Sequence, residues 1–334
     1  MAEARVAVID DFHRAFAPTD AIRRLRQRAE VAIFDAPFPS HADMARALRG
    51  YPIVIANRER THFTEAILGQ LPDLRLISNT GSHFYHVDVD AATRRGVLLA
   101  NAPGGSSPSV AELTIAYIIA LVRRIPQTNA AMHRGEWPVE LYGSVEGKTL
   151  GILGMGKIGT RVARAAVALD MRVVAWGPTL TDERAARSGV TRVEIDDLVQ
   201  SADFVSVHLP LSDLSRSIMS RERIWRMKPS AFLVNTARAA IVDETALIDA
   251  LRAGRIAGAA LDVFLEEPLP RESPLRGMQN VILSPHAGWT THESYGPWIE
   301  MTVENVIAYL DGAPIRIHNP EALAAHAGLP GGRP

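Results

Sequence analysis

Two α/β domains, each a parallel sheet with helices on both faces, are what this sequence predicts. Three observations carry the prediction. Short, near-continuous β-branched runs alternate with helical patterns along almost the whole chain. These runs fall into two series separated by a turn-rich stretch. The 334 residues also amount to two domains at roughly 150 residues each. Near-continuous apolar runs suit strands covered on both faces. Strands spaced by helices imply right-handed crossovers.

The first series has runs at 6–10, 31–35, 53–57, 74–79 and 97–101. The second has runs at 149–153, 172–176, 204–209, 231–236, 258–264 and 281–284. Between the series, Asn101-Ala-Pro-Gly-Gly-Ser-Ser-Pro108 is rich in turn formers. Ser109, with Glu112 three residues later, reads as a capping box for a helix over 110–124 that Pro126 ends. That helix is apolar on most sides, so its expected place is buried between domains or between subunits. A second polar break covers 143–148, a last helical pattern spans 294–310, and 328–334, rich in Gly and Pro, is expected to fray.

Composition narrows the function. Hydrophobic residues at 47% and charged residues at 22% describe an ordinary globular chain. A formal net charge of −1 gives no field favouring nucleic acid or an anionic membrane. The absence of cysteine excludes disulfides, thiolate metal sites and a cysteine nucleophile. Residues 1–7 lack the apolar core of a signal peptide, and the longest apolar stretch, 113–122, is too short to span a bilayer. The expectation is a cytoplasmic protein with neither nucleic-acid nor membrane partners.

The strongest single motif is Thr149-Leu-Gly-Ile-Leu-Gly154-Met-Gly156-Lys157-Ile158-Gly159, a strand running through GxGxxG into a helix over 160–169. In that context Gly154 permits the tight turn, Gly156 lets backbone approach a pyrophosphate, and Gly159 lets helix and strand pack closely. The helix N-terminus then offers free N–H groups to the phosphates. Outside a strand–turn–helix context the same glycines would be only a packing turn. The next strand ends at Trp176-Gly177, where NAD-binding chains usually carry Asp or Glu for the ribose. Here Gly177-Pro178-Thr179 supplies no acid, and no adjacent arginine awaits a 2′-phosphate. NAD is the expected cofactor, with NADP left open.

Three polar residues follow three successive strands of the second series: Arg238, Glu267 and His286. Ligands of open α/β sheets bind at the carboxyl ends of strands. A guanidinium fork suits a substrate carboxylate, an imidazole suits proton transfer near neutral pH, and a carboxylate suits orienting that imidazole and stabilising its charged form.

Several motifs, in this order, resemble the D-isomer-specific 2-hydroxyacid dehydrogenase family. They are the glycine turn, Val207-His208-Leu209-Pro210, Leu233-Val-Asn235-Thr-Ala-Arg238, Leu261-Asp262-Val-Phe264-Leu-Glu-Glu267-Pro268 and Ser284-Pro285-His286-Ala-Gly288. The resemblance covers nearly the whole chain. It implies that a Rossmann cofactor domain, 102–289, is inserted into a flavodoxin-like substrate domain, 1–101 and 290–334, with the substrate in a cleft that closes. It gives Arg238 the substrate carboxylate, His286 the acid/base role and Glu267 the task of orienting His286. It places Asp262 at the nicotinamide carboxamide, Thr236 and Ala237 along the nicotinamide ribose, and His208, Leu209 and Pro210 beside adenine and ribose. His286 and Gly288 complete the cofactor set. The helix over 110–124 resembles the family's dimer element, so a homodimer is expected.

The resemblance also puts a substrate-carboxylate loop at Thr80-Gly81-Ser82-His83, where many relatives read Gly-x-Gly and this chain has Gly81-Ser82-His83. Ala239 stands where relatives often have Gly, a change not expected to move Arg238 far. His83, His86 and Asp88 suggest a metal site only weakly against two solvated loop histidines, and no metal is expected. Trp289 and Tyr295 either cap the pocket or pack in a core. The implied activity is hydride transfer between NAD(P)H and a 2-keto acid or D-2-hydroxyacid. A non-enzymatic NAD-sensing corepressor and a phosphite dehydrogenase remain alternatives. Glu267 argues against a formate dehydrogenase, which carries Gln there.

Overall fold

A computed structural model describes residues 4–58 and 60–326. The chain divides into two compact units, Met1–Gly105 with Thr291–Pro334, and Ser106–Thr290.

The first unit is built on parallel strands β1 (Ala4–Ile9), β2 (Ala29–Ile33), β3 (Ile53–Ala56), β4 (Leu76–Thr80) and β5 (Leu98–Ala102). Their order, β2-β1-β3-β4-β5, is the flavodoxin-like one. Helices α1 (Asp20–Leu25), α2 (His41–Ala47), α3 (Glu65–Leu68) and α4 (Val89–Arg94) fill the crossovers. Each starts at a side-chain cap, Thr19, Ser40, Thr64 and Asp88, which satisfies an orphan N–H of the first turn. Leu48, Ile67, Leu68 and Ala91 pack on one sheet face with Val54 and Ile77.

The second unit holds seven parallel strands: β6 (Thr149–Leu153), β7 (Arg172–Trp176), β8 (Thr191–Arg192), β9 (Phe204–Val207), β10 (Phe232–Asn235), β11 (Gly258–Leu261) and β12 (Val281–Leu283). Their order, β12-β11-β10-β9-β6-β7-β8, is the Rossmann order extended by one strand. Its helices are α5 (Ser107–Val122), α6 (Ile125–His133), α7 (Lys157–Ala168), α8 (Asp182–Ala186), α9 (Ile195–Ser201), α10 (Arg221–Arg226) and α11 (Glu244–Arg252). Helices α5 and α7 cover one sheet face; α9, α10 and α11 build the core on the other. The chain then returns to the first unit through α12 (His292–Leu310), which packs on β3, β4, β5 and α1.

Several expectations need correction. Ser109 does not cap α5: the helix already begins at Ser107, and the Ser109 hydroxyl donates to the Ser106 carbonyl at 3.0 Å. Pro108 does not forbid this, because a first-turn proline forfeits an N–H that had no partner anyway. Pro126 does not end the helix either. Arg124, left-handed at φ +52°, breaks it, and Pro126 lies in the first turn of α6. Helix α5 buries Val110, Ala111, Thr114, Tyr117, Ile118 and Leu121 and packs on α7, β10 and β11 within its own unit. Helix α7 starts at Lys157, so Gly159 lies inside it. The edge strand β8 was not expected. The tail 328–334 lies outside the described residues. No helix among the described residues is long and apolar enough to cross a membrane.

Candidate active site

The glycine turn lies where the strand order reverses, between β6 and β9, the usual ligand crevice of an open α/β sheet. Each glycine has its own reason. Gly154 sits at φ +106°, and a Cβ there would come within 2.8 Å of the His208 carbonyl. A Cβ on Gly159 would stand 2.1 Å from the Gly154 oxygen. A Cβ on Gly156 would meet no protein atom within 4 Å. Only at Gly156, then, does the missing side chain leave room facing outward, and it does so at the uncapped N-terminus of α7, next to exposed Lys157. Ile158 turns inward against the core. Outward room, free N–H groups and a positive dipole end fit a dinucleotide pyrophosphate.

Trp176 ends β7, and its carbonyl accepts from the Gly154 N–H at 2.8 Å. A Cβ on Gly177 would lie 4.0 Å from the Gly154 Cα, so the end of β7 abuts the turn. No acid follows β7, as read from the sequence, but the absence of a nearby arginine does not hold in space. Arg184, on α8, reaches back to donate to the Thr179 carbonyl at 2.7 Å and the Met155 carbonyl at 3.2 Å. His208 presents its backbone to Gly154, while its imidazole Nε2 pairs with the Ser206 hydroxyl at 2.8 Å. Desolvation pushes this imidazole down to about 4, so it stays neutral. Leu209 is buried, and exposed Pro210 gives its carbonyl to the Ser215 hydroxyl at 2.6 Å.

At the end of β10, the Thr236 hydroxyl bonds that of Thr114 at 3.1 Å. Asn235 organises the turn that follows. Its Oδ1 accepts from the Ala237 N–H at 3.0 Å, and its Nδ2 donates to the Arg238 carbonyl at 3.0 Å. Arg238 is extended at φ −143° and precedes a short 3-10 turn, Ala239–Ile241.

The ends of β11 and β12 build the acid/base pair. Glu267 Oε1 accepts from the Phe264 N–H at 3.0 Å, and Oε2 lies 2.7 Å from His286 Nδ1. Burial alone would raise the Glu267 carboxyl. The hydrogen bond and charge of His286, the Phe264 N–H and the charge of Arg238 outweigh it and hold the group below its ordinary value. Of the three residues read from the sequence, Glu267 and His286 pair directly, and the charge of Arg238 acts on Glu267.

His286 itself occupies the left-handed region at φ +53°, uncommon for a non-glycine residue. What holds it there is Asp262, only 2% exposed. Asp262 Oδ1 accepts from the Ala287 N–H at 2.7 Å and Oδ2 from the Gly288 N–H at 2.9 Å. Oδ1 also accepts the Ser284 hydroxyl, and the Ser284 oxygen in turn pairs with the Tyr117 hydroxyl of α5. Because Ser284 gives its proton to the carboxylate, Tyr117 is the donor. Burial raises Asp262 against these bonds, and burial pushes Tyr117 up to about 12. Asn235, Ser284 and Tyr117 were missed as site residues. Asn235 and Ser284 did stand within the recognised motifs; Tyr117 carried no signal of its own.

Within the first unit, the Thr80 hydroxyl accepts from the Arg58 N–H at 2.7 Å and donates to Asn57 Oδ1 at 3.2 Å. The Gly81 N–H is committed to the Ala102 carbonyl at 3.1 Å. Ser82 and His83 are exposed, and His83 stacks on Tyr85 at 5.0 Å between ring centroids. The histidines of this loop are not two solvated groups: His86 is buried, stacked on Phe84. Asp88 caps α4. Tyr295 bonds His13 through its hydroxyl at 2.8 Å, and Trp289, in the second unit, is buried.

A family model described as D-isomer specific 2-hydroxyacid dehydrogenase, NAD binding domain, matches residues 115–288. The chain is 38% identical over 293 residues to the D-3-phosphoglycerate dehydrogenase of Methanocaldococcus jannaschii, covering 87% of this chain and 54% of that one. It is 40% identical over 255 residues to the glyoxylate reductase of Aeropyrum pernix, covering 74% and 76%. The crystal structure of a phosphoglycerate oxidoreductase from Vibrio cholerae superposes with a TM-score of 0.86 at 32% identity, covering 93% and 100%. The chain thus spans about half the length of the first phosphoglycerate dehydrogenases it matches, at 54% and 53% of their length.

Proposed function

The chain belongs to the D-isomer-specific 2-hydroxyacid dehydrogenase family, and from that premise we propose that it transfers hydride between NAD(P)H and a 2-keto acid or D-2-hydroxyacid. The observation that carries this reading is the 2.7 Å pairing of Glu267 with His286 beside the charge of Arg238. Nicotinamide, when bound, would supply the hydride in reduction and accept it in oxidation. Arg238 anchors the substrate carboxylate with its planar fork. Glu267 occupies Nδ1 of His286, which leaves Nε2 to donate a proton to the carbonyl oxygen during reduction and to accept one during oxidation. Gly154, Gly156, Lys157, Ile158 and Gly159 form the pyrophosphate side, and Thr236, Ala237, Asp262 and Gly288 the nicotinamide side. The backbone at His208, Leu209 and Pro210 borders the adenosine. Thr80, Gly81, Ser82 and His83 contribute to substrate binding; because the Gly81 N–H is already committed, that role falls to the donors of Ser82 and His83.

The working form is a cytoplasmic homodimer. Its support is the run of exposed apolar side chains after α5, among them Ile125, Met132, Trp137 and Val139, with Trp137 79% exposed. Sedimentation of the wild type as a dimer, weakened in Trp137→Asp, would support that assembly; a monomeric wild type would contradict it. For the activity, NADH and NADPH oxidation is followed with a panel of 2-keto acids. Turnover with at least one, abolished in His286→Ala, is expected. No oxidation with any would favour a nucleotide-sensing protein instead.

A further inference from the structure

We propose that Arg184 makes the adenosine end of the crevice select a 2′-phosphate, so that the chain prefers NADPH over NADH. This deepens the dinucleotide-binding reading above and rests on it. In a Rossmann unit the glycine turn takes the pyrophosphate, and the residue at the end of the next strand reads the adenosine ribose. A carboxylate there accepts the 2′-hydroxyl and repels a 2′-phosphate. In this chain Gly177-Pro178-Thr179 follows β7 with no acid.

A cation is present instead. The Arg184 guanidinium bridges the two backbone segments that border the ribose position. Nη1 donates to the Thr179 carbonyl, in the loop after β7, at 2.7 Å, and Nη2 donates to the Met155 carbonyl, inside the glycine turn, at 3.2 Å. Those segments are already joined to each other by the Gly154 N–H to Trp176 carbonyl bond of 2.8 Å. A guanidinium has N–H donors beyond the two used here. The neighbouring acids have other partners. Asp182 lies 3.9 Å from Arg192, and the Glu183 carboxylate takes its own N–H and the Thr181 hydroxyl. The sequence hides this arrangement because Arg184 stands beyond the strand end and is returned to it only by the turn into α8.

The test uses adenosine nucleotides, which need no turnover. Calorimetry on the full chain compares 5′-AMP, adenosine 2′,5′-bisphosphate and its 3′,5′ isomer, which carries the same charge in the wrong place. A charge-assisted hydrogen bond predicts that wild type binds the 2′,5′ form about ten- to a hundredfold more tightly than 5′-AMP. In Arg184→Ala the ratio should fall to near one, and Arg184→Lys should lie between. NADPH and NADH affinities should follow the same order. A wild-type ratio near one, a ratio undiminished in Arg184→Ala, or equal binding of the two bisphosphates would overturn the role of Arg184 while leaving the dinucleotide site standing. If no adenosine nucleotide binds the wild type, both readings fall together.

Discussion

Gly156 and Gly159 stand three residues apart in one turn, yet alanine should damage them in opposite ways. At Gly156 the backbone is extended, φ −85° and ψ −160°, which any residue adopts, and the new Cβ meets no protein atom within 4 Å. Fold stability should therefore change by no more than about 0.5 kcal/mol, as for most substitutions free of strain or burial. The new methyl instead takes the space through which a pyrophosphate must approach, so NADH and NADPH affinity should fall at least about tenfold. At Gly159 the new Cβ would lie 2.1 Å from the Gly154 oxygen, which is backbone and cannot swing aside. Overpacking of this kind costs about 3 kcal/mol at the upper end of its range, which for a unit of this size lowers Tm by about 6–12 °C. Calorimetric unfolding and nucleotide titration on both variants separate the two effects. A folded Gly156→Ala protein with undiminished affinity for both cofactors would refute the placement of the pyrophosphate at this turn.

Two other residues make sharp claims. Arg238→Lys keeps the charge but loses the planar fork, so kcat/KM should fall about ten- to a hundredfold for every 2-keto acid while cofactor affinity holds; unchanged kcat/KM would remove Arg238 from the site. Tyr117→Phe removes the donor at the outer end of the chain through Ser284 and Asp262 to the Ala287 and Gly288 N–H groups, and should cost about 1 kcal/mol in urea unfolding. Because burial raises the Tyr117 pKa to about 12, its contribution is fully present below about pH 10 and lost as pH rises through 12. The stability difference between wild type and Tyr117→Phe should vanish over that window, and a pH-independent difference would count against the network.

The sheets were legible in the sequence because buried parallel strands are written as continuous apolar runs; β6 and β7 even begin and end where the runs do. Strand β8 was not legible: Thr191–Arg192 is too short to make a run and is an edge strand, with one side left unpaired. Helix starts were less legible than helices: Ser109 reads as the cap in the sequence, while the backbone is already helical from Ser107. Arg238, Glu267 and His286 could be proposed because each follows its strand within a few residues, and the pairing of Glu267 with His286 is present in the structure. Tyr117 could not, because its partner Ser284 is 167 residues away and nothing local to either residue announces the contact. Arg184 escaped for a related reason: the strand end was read, while the turn that carries the side chain back to it was not.

The central claim is that Glu267 and His286 act as one acid/base pair, and a pH profile of kcat/KM in both directions tests it most directly. Unit charges about 4 Å apart interact by about 4 kcal/mol at an effective dielectric of about 20. The two side chains are 31% and 37% exposed, so solvent screening reduces this. Reduction needs His286 protonated and should fall on the alkaline side; oxidation needs it neutral and should fall on the acid side. In Glu267→Gln the neutral amide stabilises the imidazolium less, so both limbs should move toward lower pH. A deuterated-cofactor isotope effect would establish that hydride transfer limits the rate in wild type and variant alike. With that established, limbs displaced toward lower pH are the predicted result, and limbs that stay where the wild type has them would contradict the pair.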